Sequence, residues 1–484
     1  MSHNGFDLVS AARQEMIREG FEPDFPAGVS RQLAALDHAP VPAFAAGIRD
    51  LRELLWSSID NDTSRDLDQI EFAEKVPEGV RVLIGIADVD ADVAIASPID
   101  EHAASQTTTV YTGVATFPML PERLSTGLTS LNEDADRLAM VVEFLVAGDG
   151  AVSSGSIYRA LVRNRAQLTY SGAGAWLEAK AGPPPKVAGS PGLQAQLRLQ
   201  DQAAQALREQ RHRLGGLNFD RVETEALVTG GKVQEIRVHE KNRATDLIED
   251  FMVAANEVMA RTLRDAGVSS IRRVVKDPER WPRIVELAAR YGEALPPQPD
   301  SAALDAFLRK QKTADPVHYS DLSLAIIKLM GPGQYVLSRP GDPAQGHFAL
   351  AAHDYTHSTA PNRRFGDLVT QRLIKAVLNA RPAPYSDDDL AAAAANCTQK
   401  ENAARKVERA MNKRIAAAAL VDRLGERFSA VVTGVTPKGV FVRVLNPPVE
   451  GLLVRGQNGL DVGDQLPVRL VSADVERGYI DFAA

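Results

Sequence analysis

Asp60, Asp62, Asp66 and Asp68 stand within nine residues, and Arg65 is the one cation among them. Like charges this close repel, so they cannot be closed into an apolar core without a partner. The run passes directly into Ile70-Glu71-Phe72-Ala73, whose alternation reads as a strand. A loop of oxygen donors is thus pinned to a sheet. Three readings fit it. One is a solvated acidic loop. Another is a calcium loop, with Asp60, Asp62, Ser64, Asp66, Asp68 and Glu71 at the liganding positions of an EF-hand. That template demands Gly where Arg65 stands, and a helix where Pro77, Gly79 and the apolar residues 80–86 suggest a strand. The third is a catalytic magnesium site, in which clustered carboxylates hold ions that activate water beside a phosphodiester.

The remaining composition narrows the class. The 484 residues allow two or three domains. No apolar run approaches the roughly 20 residues of a membrane span, and the first residues lack the basic start and apolar core of a secretory signal. The single cysteine, Cys397, excludes an internal disulfide framework and a thiolate zinc site. A buried thiol and a cytoplasmic location are expected. The net charge of −8 excludes a generally basic nucleic-acid coat. It permits a nucleic-acid enzyme whose carboxylates are balanced by bound cations.

Residues 1–50 read as a short N-terminal segment of helical pieces, broken by Pro23, Pro26, Pro40 and Pro42. Residues 80–89, 137–146 and 155–168 read as strands of a mixed sheet. Residues 193–214, 245–264 and 322–330 read as helices, and 346–350 carries a strand pattern. Asp246 followed by Glu249 suggests a capping box for the second helix. Glu249 and Asn256 are either substrate contacts or a cap and a solvated amide. Pro361-Asn362-Arg363-Arg364 precedes another helix, 367–378. Two guanidiniums at a helix N-terminus suit phosphate; the alternative is two surface arginines, capped by Asp367. Residues 397–420 form a long helix rich in Lys and Arg, which either lines a nucleic-acid path or is a solvated face.

From Gly425 the texture changes. Residues 427–435, 439–445, 449–454, 465–474 and 479–482 read as five short strands, divided by turns such as Asn458-Gly459. They imply a small OB-type barrel. Phe428 and Phe441 are candidate platforms for stacking bases, with Lys438, Arg443 and Arg455 nearby; the alternative is that they are core.

These pieces together resemble the ribonuclease II (RNB) family. The resemblance is carried by Asp60-x5-Asp66-Leu67-Asp68, Ile86-Ala87-Asp88-Val89, Pro118-Met119-Leu120-Pro121, Leu247-Ile248-Glu249-Asp250-Phe251-Met252 with Ala255-Asn256-Glu257, and Thr359-Ala360-Pro361-Asn362-Arg363-Arg364, in the family's order. It runs from about Leu51 to the C-terminus, which looks like the family's S1-type barrel. It implies an α+β fold: an RNB catalytic domain over 51–420, with a mixed sheet and helices forming a channel, then an S1-like OB domain over 425–484. Residues 1–50 leave no room for the two cold-shock barrels common in the family.

The resemblance further implies a processive, magnesium-dependent 3′→5′ exoribonuclease, with manganese as a possible substitute. Acting as a monomer, it would thread single-stranded RNA and release nucleoside 5′-monophosphates. Asp60, Asp66 and Asp68 match the residues that bind or position the metal, and Asp68 is the one tied most directly to chemistry. Arg363 looks like the arginine that stabilises the transferring phosphate. Tyr111 resembles an aromatic that stacks on terminal bases; Tyr170 and Glu249 match residues that read the ribose. Gln69 stands where the family carries a fourth Asp, and its amide oxygen brings no formal charge. Ala360 and Gly85 also depart from the pattern. The second reading is a protein of this fold that binds RNA without cutting it, and the third a calcium-binding module.

Overall fold

The structure, a computed structural model, describes residues 6–36, 47–219, 223–229, 232–239, 241–316, 318–343 and 345–484. Pro40 and Pro42, expected to break the N-terminal helices, lie outside the described residues. Two helices come first, α1 (Leu8–Arg18) and α2 (Ala27–Leu36). Asp7 caps α1 by accepting from the Val9 and Ser10 amides. Then follow β1 (Ile48–Asp50), β2 (Trp56–Asp60), β3 (Gln69–Val76), β4 (Gly79–Ala87), α3 (Pro98–Gln106), the small hairpin β5 (Val110–Tyr111) and β6 (Thr116–Phe117), β7 (Asp136–Val146) and β8 (Val152–Thr169). β1 through β4 with β7 and β8 make one sheet, ordered β1-β8-β2-β3-β4-β7. β8 is long enough to pair with three strands, taking β1 in parallel at Arg159–Leu161. Its first part runs antiparallel to β7 up to Arg163, and its last residues, from Asn164, run parallel to β2. The sheet therefore curls back on itself.

The helical layer follows: α4 (Tyr170–Leu177), α5 (Pro185–Ala188), α6 (Pro191–Arg213), the hairpin β9 (Glu223–Thr229) and β10 (Lys232–His239), then α7 (Arg243–Asp265). α7 is capped one turn earlier than the sequence suggests. Asn242 and Thr245 form the capping box, because Asn242 accepts from the Ala244 and Thr245 amides. Its apolar stripe, including Leu247, Phe251, Ala255 and Val258, is buried in the main core. α7 packs so closely on the sheet that a Cβ at Gly155 would lie 2.4 Å from Val258. Both faces of β3 are covered over its first five residues. Ile70 and Phe72 pack beside Trp56, whose ring centroid is 6.1 Å from that of Phe72, while Gln69, Glu71 and Ala73 turn the other way and are buried too.

β11 (Ser270–Val274), α8 (Trp281–Arg290), α9 (Ser301–Ala314), α10 (Tyr319–Met330), β12 (Gln334–Ser338), α11 (Phe365–Leu378) and the 34-residue α12 (Asp387–Leu420) complete the body. The strand pattern at 346–350 is instead a single 3₁₀ turn, Phe348–Leu350, because the His347 side chain accepts from the Leu350 amide and winds the segment. Cys397 is buried, as expected. α12 is a spine: α1 packs on its middle through Met16, Val407 and Met411, and its last turns, Ala417 and Leu420, enter the barrel core.

That barrel is β13 (Arg427–Thr436), β14 (Gly439–Leu445), β15 (Pro448–Arg455), β16 (Gln465–Asp474) and β17 (Tyr479–Ala483), closed in the order β13-β14-β15-β17-β16. The five expected strands all form. Val440, Val442 and Val444 point inward, so Phe441 is left half-buried on the outer surface. Phe428 is a correction. It is 7% exposed and packs edge-on to Phe482 inside the barrel, where no base can reach it. Among the described residues no helix is long and apolar enough to cross a membrane.

Candidate active site

The acidic loop joins the end of β2 to the start of β3, so it lies between two strands, which removes the EF-hand reading. It is held from below. The Leu67 amide donates to Ser130 Oγ (3.0 Å), Ser130 Oγ donates to the Arg65 carbonyl (2.8 Å), and the Leu131 amide donates to the Leu67 carbonyl (3.0 Å). Leu67 is buried, which fixes the orientation of the carboxylates on either side of it.

Each carboxylate then meets a different environment. Asp60 Oδ1 accepts from the Asn61 amide (2.7 Å) and from Ser64 Oγ (2.9 Å). Asp66 Oδ2 accepts from the Tyr111 hydroxyl at 3.0 Å, while the Tyr111 ring stays exposed. Asp62 accepts from Ser171 Oγ (2.8 Å). Asp68 is 2% exposed. Its Oδ1 accepts from the Asn362 amide (2.9 Å), and its Oδ2 has no hydrogen-bond partner and lies 3.5 Å from Arg363 Nε. Burial raises Asp68 to about 7 against the pull of Arg363 and the Asn362 amide. Burial raises Asp60 too.

The turn carrying Arg363 comes from the other end of the chain and is clamped on three sides. Asn256 on α7 accepts at Oδ1 from the Ser358 amide (2.8 Å) and from Ser358 Oγ (2.7 Å). Asp367 on α11 accepts from the Ala360 amide (2.8 Å). Thr129 donates to Asn362 Oδ1 (2.6 Å), and the Thr109 amide donates to the Arg363 carbonyl (3.0 Å). Asn256 is therefore a buried clamp, neither solvated nor a substrate contact. Arg364 is also corrected. Its guanidinium grips Asp367 with two bonds, of 2.9 and 2.7 Å, so it is committed within the turn. Of the two arginines, Arg363 is the one left open, with 42% of its side chain exposed.

Tyr170 opens α4 and shares this basin. Burial raises its hydroxyl, with Asp60 and Glu71 adding to the effect and Arg363 opposing it. Glu249 also acts on it and accepts from Lys241 Nζ at 2.9 Å. Gln69 lies at the start of β3, 9% exposed, next to Asp68. The structure thus brings together Asp60, Asp66, Asp68, Gln69, Tyr111, Tyr170, Glu249 and Arg363. Phe428 and Phe441 belong to the barrel.

Sequence reasoning named Asp367 only as a cap for the arginines, missed Thr129 and Ser130 as supports, and used Glu71 only as an EF-hand position. Glu71 is fully buried and neither carboxylate oxygen has a hydrogen-bond partner. The signal was present: a carboxylate inside a strand whose other residues are mostly apolar. Among the described residues no three carboxylate, histidine or cysteine side chains form a ready metal cage. Magnesium needs none, since it keeps several waters and takes one or two protein carboxylates. The unpartnered Asp68 oxygen and the all-oxygen donor set fit such an ion.

Residues 48–380 match the family described as RNB domain, and 426–484 match the RNase II-type exonuclease C-terminal S1 domain. Ribonuclease R 1 of Lactococcus lactis is 29% identical over 95% of this chain, which spans 59% of that protein's length. The structure of Mycoplasma genitalium RNase R in complex with ribose-methylated single-stranded RNA superposes with a TM-score of 0.86, covering 99% of this chain and 78% of that one at 23% identity. Yeast Ssd1, described as a pseudonuclease, has a TM-score of 0.67 over 92% of this chain and 55% of its own, at 16% identity. These structural likenesses show the fold.

Proposed function

The chain belongs to the RNB-domain family, and on that basis we propose that it is a divalent-metal-dependent 3′→5′ exoribonuclease acting on single-stranded RNA. The observation that carries the reading is the meeting of Asp68 and Arg363. A buried carboxylate with a free oxygen faces a half-open guanidinium, at the junction of two independently clamped loops. Water attacks the terminal phosphodiester, the 3′ oxygen of the preceding nucleotide departs, and a nucleoside 5′-monophosphate is released.

Asp60, Asp66 and Asp68 are the residues that would hold the ion, with the amide oxygen of Gln69 beside them. The chemistry supplied by a bound cation is a more acidic water and a screened phosphate charge. Magnesium is the ion proposed, with manganese as its substitute. Arg363 offers its planar fork to the charge that grows on the phosphate. Asp68, fixed by the Asn362 amide and with its other oxygen unpartnered, would position the water beside the ion. Tyr111, anchored to Asp66 and exposed, presents a face on which the last base stacks. Tyr170 and Glu249 border the same basin and bind the ribose.

The rival is an RNA-binding protein without cleavage. The uncharged Gln69 favours it, and the family fold accommodates a protein described as a pseudonuclease. Incubating the protein with 5′-labelled oligoadenylate in magnesium, calcium or EDTA separates the two. Mononucleotide release in magnesium supports the enzyme. Retained but uncut RNA supports the binder.

A further inference from the structure

Glu71 has no role in the chemistry described above, yet nothing in the fold accounts for it. It is fully buried, and both of its carboxylate oxygens lack a hydrogen-bond partner. Ser57 stands opposite it across the β2–β3 ladder, and its Oγ is likewise buried and unpartnered. Two adjacent buried polar groups without a protein partner call for a guest that satisfies them.

The ladder shows where Glu71 points. Residues opposed on antiparallel strands share a face. Ala73 opposes Val82, Val82 opposes Phe144, and Phe144 opposes Gly155, on which Val258 of α7 rests. Glu71, two residues from Ala73, faces the same way. So does Gln69, two residues further toward the acidic loop. The α7 side of the sheet is the side of the site, because α7 carries Glu249 and, through Asn256, clamps the turn of Arg363. Glu71 pairs with Ser57 on β2, three residues before Asp60, and Asp60 pairs with Thr169, next to Tyr170, so these groups gather at one end of β2.

We propose that Glu71 supplies the negative charge that Gln69 lacks, binding a divalent cation together with Asp60 on the floor of the site. Two positions along a strand amount to about 6.7 Å, and the longer arm of Glu, relative to Asp, shortens that gap. Ser57 Oγ serves a water of the ion. Two protein carboxylates are enough for a largely hydrated magnesium or manganese ion. This assignment rests on the exoribonuclease reading for the identity of the site, but its test does not depend on cleavage.

The test measures manganese binding to RNA-free protein, by electron paramagnetic resonance or calorimetry, for wild type, Glu71→Gln, Gln69→Asp and the double variant. Glu71→Gln keeps side-chain volume, and its melting temperature in EDTA verifies folding. We expect Glu71→Gln to weaken manganese binding by about tenfold or more, and Gln69→Asp to restore it in the double variant. Affinity within about twofold of wild type for Glu71→Gln, no recovery in the double variant, or no manganese binding by wild type would each overturn the assignment. RNA cleavage is scored separately. Glu71-dependent metal binding without nucleotide release leaves the site standing and removes the exoribonuclease reading. Nucleotide release with Glu71-independent metal binding does the reverse.

Discussion

The C-terminal barrel and the acidic centre use buried space in opposite ways. Inside the barrel, Val432, Val440, Val442, Leu453 and Phe482 interlock, and polar groups lie outside. At the centre, Asp68, Glu71 and Ser57 are buried with oxygens that have no partner. The barrel gains stability from its interior. The centre gives up stability for a preorganised field, which is how active sites commonly differ from scaffolds. Mutations should therefore be read out as stability in one region and as rate in the other.

The strongest break of that contrast is Phe428→Ala. Removing a buried aromatic should destabilise the barrel by about 3–5 kcal/mol, measured by denaturant unfolding, while cleavage of short oligomers stays near wild type. A large loss in cleavage rate with intact stability would return Phe428 to the RNA. Next is Arg363→Ala, which should raise the barrier by about 3–4 kcal/mol, the scale of one lost transition-state donor. Arg363→Lys should recover little of it, since an ammonium lacks the planar fork. Full recovery would reduce Arg363 to a generic cation.

Asp68→Asn should slow turnover by at least ~10²-fold with RNA affinity nearly unchanged, judged by single-turnover cleavage beside equilibrium binding. The same variant probes the strain in the site. Asp68 titrates at about 7 in the fold and near 3.9 unfolded. Between those values the folded state keeps its proton longer, so stability falls as pH rises, by at most about 4 kcal/mol. In EDTA, melting temperatures should drop from pH 5 to pH 8. Asp68→Asn should remove its share of the slope, leaving that of Asp60 and Glu71, which burial also raises. An unchanged slope would mean that Asp68 is ionised throughout. The smallest effect is expected at Phe441. Phe441→Ala should weaken RNA binding by about 1–3 kcal/mol without lowering stability; unchanged binding would leave this face of the barrel without a role in gripping RNA.

The same contrast explains what could be read in advance. The barrel was legible because its strands alternate and its turns carry Gly and Pro, signals that are local. The acidic loop was legible by charge, and the family motifs pointed to Arg363. Two things were not legible, each because a distant segment decides it. β3 looked half-exposed, but α6 packs against it, with Gln196 accepting from the Ala73 amide. β8 looked like an ordinary strand, but it pairs with three others, β7, β1 and β2.

The bond from the Asn362 amide to Asp68 spans 294 residues. During synthesis at 5–20 residues per second, roughly 15–60 s separate the emergence of the carboxylates from that of Arg363. Until then the acidic loop has no guanidinium opposite it and no clamp above it. For that interval a chain still attached to its ribosome carries the parts of the centre without the centre.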